Sequence, residues 1–317
     1  MAGGSYPREV ALQAACFCDC QGLAVGTVME TLLRTIIFGL MTGGLYAVIA
    51  MGFNLQYGVA RVINIAHGEF IMLGAFLTWM LYTVFGLNPL LSLAVSGPLL
   101  FVIGFGIHRT LFTSLRTRAP SPAAYEGNSL LAAFGLLFVV QNIALIRWGA
   151  ATRGYSYLNF GVTLGGMTFL ANRLVALAVA IVVCLAFYFF LTRSRLGKAI
   201  RAAAQDPATA GLMGVNINLV LALCFGFGAF MAAVGGLLVS MVFPITVAMG
   251  LRYTVIAIIV VVLGGLGSIP GSLIGGLILG IIGSIFTTYQ PAEAQFVFYG
   301  IFLLLLLVRP TGILGKE

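Results

Sequence analysis

Charge is what this chain has least of. Of its 317 residues, 8% are Asp, Glu, Lys or Arg, against about 25% in a soluble domain. Too little polar surface remains to cover a water-facing globule, so a soluble fold is excluded. Acidic residues number eight and histidines two, His67 and His108. An intramembrane enzyme would need a paired nucleophile and base or a metal cluster, and these histidines supply neither. Three chemical signatures are missing from the sequence: a Gly-x-Ser-x-Gly elbow, a His-Glu-x-x-His metal helix and a Gly-x-x-x-x-Gly-Lys-Ser/Thr phosphate loop. The chain is therefore not expected to be an enzyme, and any work from ATP has to come from another polypeptide. Cysteines are few. Cys184 and Cys224 sit in apolar runs as small hydrophobes, while Cys16, Cys18 and Cys20 form Cys-Phe-Cys-Asp-Cys. No second cluster or nearby His completes a tetrahedral set, so neither metal nor cofactor is expected.

What the sequence has in quantity is apolar residues, 61% of the chain, in runs such as Ile256–Leu263 and Ile301–Val308. Stretches near the ~20 residues that cross a hydrocarbon core recur along most of its length. The 41 glycines suit close helix approach. The net charge of +8 is confined to short segments between apolar runs, the pattern of membrane loops and not of a nucleic-acid surface. The expected fold is an all-α polytopic transmembrane bundle of eight or nine helices. Spans are expected at 35–57, 64–86, 88–107, 129–148, 172–192, 219–243, 250–266, 271–288 and 294–308. Residues 1–28 lack a sustained apolar run and read as a disordered tail, without the features of a secretory signal; 29–317 form one domain.

Orientation rests on basic residues. With the loops at 108–128 and 193–218 inside, ten Lys and Arg lie on the cytoplasmic side and six outside: Arg8, Arg34, Arg147, Arg153, Arg173 and Arg252. The C-terminus is then also inside. The stretch Leu263–Ser272 is too rich in Gly and Pro for a straight helix, and reads either as a tight loop or as the tip of a re-entrant hairpin. Gly39 with Gly43, Gly271 with Gly275, and Gly276 with Gly280 each place two glycines on one helix face. Packing within the chain is the ordinary use, a face for a second subunit the other.

Two polar stretches stand out. Tyr57-Gly-Val-Ala-Arg-Val-Ile-Asn-Ile-Ala-His-Gly-Glu-Phe70 carries Arg61, Asn64, His67 and Glu69 at the start of an apolar span. Arg61, Asn64 and His67 share a face if the segment is helical. Such groups, with Asn54 in the preceding span, serve either as a solute pathway or gate, or as a hydrogen-bonded helix end at the interface. Glu69 is the one acidic residue inside the expected spans, which leaves ion coupling through a carboxylate relay poorly supplied. The second stretch, Ser194–Asn216, is the most polar loop. Gly197–Gln205 reads as a short helix; Asp206 caps a second one with Pro207 at its first position, and Gly214 ends it. Leu212 and Met213 give it an apolar knob. This is either a lever for a cytoplasmic partner or a solvated connector.

At these residues the sequence resembles the membrane subunits of branched-chain amino-acid ABC importers. Four stretches carry the resemblance: Tyr57–Phe70, Gly197–Asn216, Val262-Leu-Gly-Gly-Leu-Gly-Ser-Ile-Pro-Gly-Ser-Leu-Ile-Gly-Gly276, and Arg309-Pro-Thr-Gly-Ile-Leu-Gly315. It extends from about Thr31 to Gly315; the Cys-bearing tail departs from it. The resemblance implies a multi-pass permease of the bacterial inner membrane, paired with a second permease subunit, two cytoplasmic ATPases and a periplasmic solute-binding protein. The implied cargo is a small organic solute, branched-chain amino acids first, with urea and short amides among relatives. It also implies that a cytoplasmic coupling helix docks the ATPase through Gly197, Arg201, Gln205, Asp206, Pro207, Ala210, Gly211, Leu212, Met213 and Gly214. The other class that composition permits is an ion-coupled secondary transporter or channel.

Overall fold

The computed structural model describes residues 8–164, 167–290, 294–308 and 312–313, with side chains from residue 30 onward except 164, 294, 295, 305 and 306. Helices carry nearly all of it: α1 (Arg8–Ala60), α2 (His67–Phe85), α3 (Pro89–Ile107), α4 (Thr113–Arg118), α5 (Pro122–Trp148), α6 (Ala171–Arg193), α7 (Arg195–Gln205), α8 (Pro207–Leu212), α9 (Ile217–Val242), α10 (Met249–Gly264), α11 (Ile269–Tyr289) and α12 (Ala294–Val308). A π-helical turn, His108–Phe112, joins α3 to α4. Among the described residues seven helices are long and apolar enough to cross a bilayer, and α10 is a shorter apolar one. Of the expected tail over 1–28, residues 8–28 are continuous in backbone with α1, and 1–7 lie outside the described residues. So does most of the Arg309–Gly315 motif.

Helix ends follow local chemistry. Asn88, Ser121, Ser194, Asp206, Asn216 and Ser268 each accept a backbone N–H in the first turn of the helix they precede. Pro follows directly in α3, α5 and α8, where its missing N–H costs nothing. Gly86, at φ 66°, ends α2 in the left-handed conformation. A small antiparallel hairpin interrupts the helical pattern between α5 and α6: β1 (Gly161–Leu164) pairs with β2 (Met167–Leu170), Gly161 opposite Leu170 and Leu164 opposite Met167.

The core is built from α1, α2, α9, α10 and α11, with α3 against α9. Glycines let these helices meet at backbone distance. A Cβ on Gly276 of α11 would come 2.6 Å from Ala47 N, and one on Gly43 of α1 would come 2.8 Å from Leu277 Cα. Gly280 is tighter still against Gly43 and Gly39. Gly275 faces Val260 O, 2.7 Å from where its Cβ would stand, and Gly271 meets Gly264. All three glycine pairs noted in the sequence thus pack inside this chain. α5 and α6 sit at the periphery and expose large apolar side chains, Leu131, Phe138 and Ile146 on α5 and Val182 and Phe189 on α6. On a membrane protein such a face meets lipid or another subunit.

Candidate functional site

Two helices begin inside the bundle. His67, the first residue of α2, places Nε2 3.2 Å from the Ile49 carbonyl. A carbonyl only accepts, so Nε2 is the protonated nitrogen. Ile49 lies 11 residues before the end of α1, about 16 Å along a helix axis. Half of a ~30 Å hydrocarbon core is the same depth. The chain leaves α1 at Ala60 and returns along it in a non-helical segment, 61–66, before α2 starts. This corrects the shared helix face expected for Arg61, Asn64 and His67. Arg61 turns to the surface with φ 54°, whereas Asn64 and His67 are buried.

The first turn of α10 meets α2 at this level. Gly68 N–H donates to Thr254 Oγ1 at 2.9 Å, and that hydroxyl in turn donates to the Ile65 carbonyl at 3.0 Å. Gly250 lies against the Glu69 carboxyl, in space that a Cβ would occupy. Glu69 is 1% exposed, and neither carboxyl oxygen has a hydrogen-bond partner among the described residues. α10 has no side-chain N-cap. The N-terminal ends of α2 and α10 therefore converge on Glu69, and helix N-termini favour negative charge.

Nearer the end of α1, Asn54 ties the glycine-rich turn after α10. Its Nδ2 donates to Ser268 O at 2.8 Å and Ser272 Oγ at 2.7 Å, and its Oδ1 accepts from Gly267 N at 2.7 Å. Gln56 donates to Phe225 O at 3.2 Å and accepts from Asn64 Nδ2 at 3.1 Å. Sequence reasoning missed Gln56, Thr254 and Ser272. Their signal was polarity inside apolar spans, the same signal that singled out Asn54.

Beyond Ala60 a cavity of about 510 Å³ opens, lined by Arg61, Arg116, Tyr125, Glu126, Ala203 and Pro207 among others. The α7–α8 corner borders it. Ser194 Oγ accepts from Gly197 N at 2.8 Å, and Gly197 has no room for a Cβ beside the Leu191 backbone. Ile200 and Ala203 are buried, so α7 is seated on the bundle. Asp206 Oδ1 accepts from Ala208 N at 2.9 Å and Thr209 N at 3.2 Å, and Oδ2 accepts from the Thr209 hydroxyl. Those bonds hold its carboxyl below the usual aspartate range. Gly214, at φ 85°, turns the chain away. Between them Leu212 and Met213 are 88% and 81% exposed. Arg201 does not point to a free rim: its Nη2 donates to Thr192 O at 3.1 Å. Gln205 closes α7; Ala210 is buried and Gly211 exposed.

On the opposite side, Arg153 N and O each pair with Ile245 at 2.9 Å, joining the 149–160 loop to the 243–248 segment. The Arg153 guanidinium stacks 5.1 Å from the Trp79 ring centroid. Tyr155 shares a 3.0 Å bond with Ser240, and burial pushes its phenol up to about 12.

Helices of membrane-spanning length with interrupted segments inside the bundle, a buried polar seam and a stiff helical corner at one end fit a polytopic membrane permease. The chain belongs to the family described as the permease component of the branched-chain amino acid transport system, whose model matches residues 35–307. It is 33% identical over 303 residues to the high-affinity branched-chain amino acid transport system permease protein BraD of Pseudomonas aeruginosa, covering 90% of this chain and 96% of that one. Identity to the corresponding LivH of Escherichia coli K12 is 33% over 300 residues, with the same coverage of each chain. A solved structure, PsaBC from Streptococcus pneumoniae in complex with Fab, overlaps 90% of this chain and 97% of its own at TM-score 0.48 and 12% identity.

Proposed function

We propose that the chain is the membrane subunit of a binding-protein-dependent ABC importer carrying branched-chain amino acids into the cytoplasm of a bacterial cell. Its expected partners are a second permease, two cytoplasmic ATPases that supply the hydrolysis this chain lacks, and a periplasmic binding protein. One observation carries the coupling assignment. The α7–α8 corner is clamped at Gly197 and Asp206, and presents Leu212 and Met213 bare to the outside. An exposed apolar pair on a stiff element that is seated on the core suits a rigid-body contact with a separate motor. Leu212 and Met213 make the buried part of that contact, while Asp206 and Arg201 serve it by fixing the corner. Asn54, Asn64, His67 and Glu69 form the gate seam, and Arg61 stands at its cytoplasmic mouth.

The test is Met213→Asp in the assembled complex. The expected outcome is loss of solute-stimulated ATP hydrolysis while the permease still inserts and folds. Full uptake with retained ATPase co-purification refutes the coupling role and directs attention to the loop at 108–128.

A further inference from the structure

The cavity of about 510 Å³ beside the α7–α8 corner holds charges of both signs against an apolar floor. Arg61 enters it from just past α1, Arg116 from α4 and Glu126 from near the start of α5. Val59 and Leu221, both buried, supply the apolar part together with Ile217. Among the described residues neither Arg61 nor Glu126 makes a side-chain hydrogen bond or ion pair. Arg116 keeps donors to spare, its Nη1 donating to Asn218 Oδ1 at 3.4 Å. Arg61 stands at φ 54°, a left-handed backbone that is costly for a residue with a Cβ. That turn leaves the line of α1 and brings the guanidinium to the cavity. The cavity also adjoins the gate seam. On α1, Ala60 in its wall lies one turn beyond Gln56; on α9, Leu221 lies one turn before Phe225, whose carbonyl accepts the Gln56 bond. Ala203 and Pro207 of the corner itself line another part of the wall. The shape of the cavity therefore changes if the corner moves against α1 and α9.

We propose that this cavity binds a free amino acid from the cytoplasm, and that the bound amino acid restrains the coupling corner, so that accumulated product slows import. Arg61 and Arg116 take the α-carboxylate, which a guanidinium matches with two parallel hydrogen bonds. Glu126 takes the ammonium group. The aliphatic side chain lies on Val59, Ile217 and Leu221. The volume is in the range of small-molecule sites. Two cations with one anion fit a zwitterion; a simple organic anion would leave the Glu126 carboxylate unpaired. A ligand held between the corner and the ends of α1 and α9 favours the corner position that keeps the cavity in this shape. The inference rests on the reading of the chain as an amino-acid importer with the corner in the cytoplasm. It adds to that reading an amino-acid site beyond the seam and a feedback role for it.

The experiment uses the complete complex, with Ala119→Cys in the cavity wall as a reporter. In detergent, leucine is expected to slow its modification by a maleimide at least fivefold. Leucine amide, which lacks the carboxylate, and isocaproate, which lacks the ammonium, are expected to slow it less than twofold at the same concentration. Adding Glu126→Gln or Arg116→Gln is expected to abolish the protection. In proteoliposomes with ATP enclosed and the binding protein outside, leucine preloaded in the lumen is expected to lower initial leucine uptake at least fivefold relative to an empty lumen. Glu126→Gln is expected to remove that effect. Equal protection by isocaproate overturns the proposal by making the cavity a plain anion site. A cysteine that the maleimide never reaches also overturns it, because the ATPase then closes the cavity in the assembled complex. So does protection that survives both substitutions, or uptake indifferent to lumenal leucine. If the parent complex imports no leucine yet the protection pattern holds, the importer reading fails and the amino-acid site stands.

Discussion

The contact between α1 and α11 can be tested with one methyl group. A Cβ added at Gly276 would stand 2.6 Å from Ala47 N and 2.7 Å from Ala47 Cα. Carbon atoms in good contact lie about 3.5–4.0 Å apart, so Gly276→Ala requires α11 to retreat from α1 by about 1 Å. The obstacle is helical backbone, which has no rotamer to yield. A gap of that size forfeits about a quarter to a half of the dispersion energy of each affected contact, and overpacking of this kind costs about 1–3 kcal/mol. Gly43 and Gly280 share the seam, so effects at these positions should not add independently. Gly135 of α5 provides the control, since a Cβ there meets nothing within 4 Å. Thermal unfolding in detergent, read by the fraction remaining monodisperse, should show a clear drop for Gly276→Ala. The Gly135→Ala protein should match or exceed the parent, because Ala favours a helix over Gly by about 1 kcal/mol. Equal stability of the two variants refutes the backbone-to-backbone seam.

Three further outcomes are expected. Replacing His67 and Glu69 together by Leu removes the Ile49 bond, worth about 1 kcal/mol net, and the acidic group between two helix N-termini; uptake should fall, and normal uptake at normal expression would make both bystanders. A cysteine at Ala208 should resist membrane-impermeant thiol reagents in intact spheroplasts, and labelling as fast as at a cysteine in the 149–160 loop would invert the topology. Because the folded-state pKa of Asp206 is depressed, its cap stabilises the corner fully above the ordinary aspartate range near ~3.9 and loses that contribution as pH falls through the depressed value. Protection factors of the Ala208 and Thr209 amides should therefore hold from pH 7 to 5, and a fall between pH 6 and 5 would contradict the cap.

The spans were legible because a bilayer demands long apolar stretches, and the α7–α8 corner was legible because capping is local. Ser194, Asp206-Pro207 and Gly214 each act within a few residues of themselves. The seam was only half legible. Asn54, Asn64, His67 and Glu69 announced themselves by polarity, but their arrangement depends on contacts such as Asn54 with Ser272 and Gly68 with Thr254, far apart along the chain. The non-helical return at 61–66 was not visible, since three-residue spacing reads as one helix face unless the backbone is known to leave the helix.

The brevity of α10 bears on how the chain enters the membrane. Its 16 residues extend about 24 Å, less than a hydrocarbon core of ~30 Å. Its N-terminal half is linked to the 65–68 segment through Thr254, a residue made nearly two hundred positions later in synthesis. Such a helix is a poor candidate for partitioning into lipid alone during translocation. Its place becomes available once α1, α2 and α9 stand in the bilayer, so the polar seam is closed near the end of biogenesis. A nascent chain arrested before α10 leaves the channel would hold the carboxyl of Glu69 without the helix end that faces it in the finished protein.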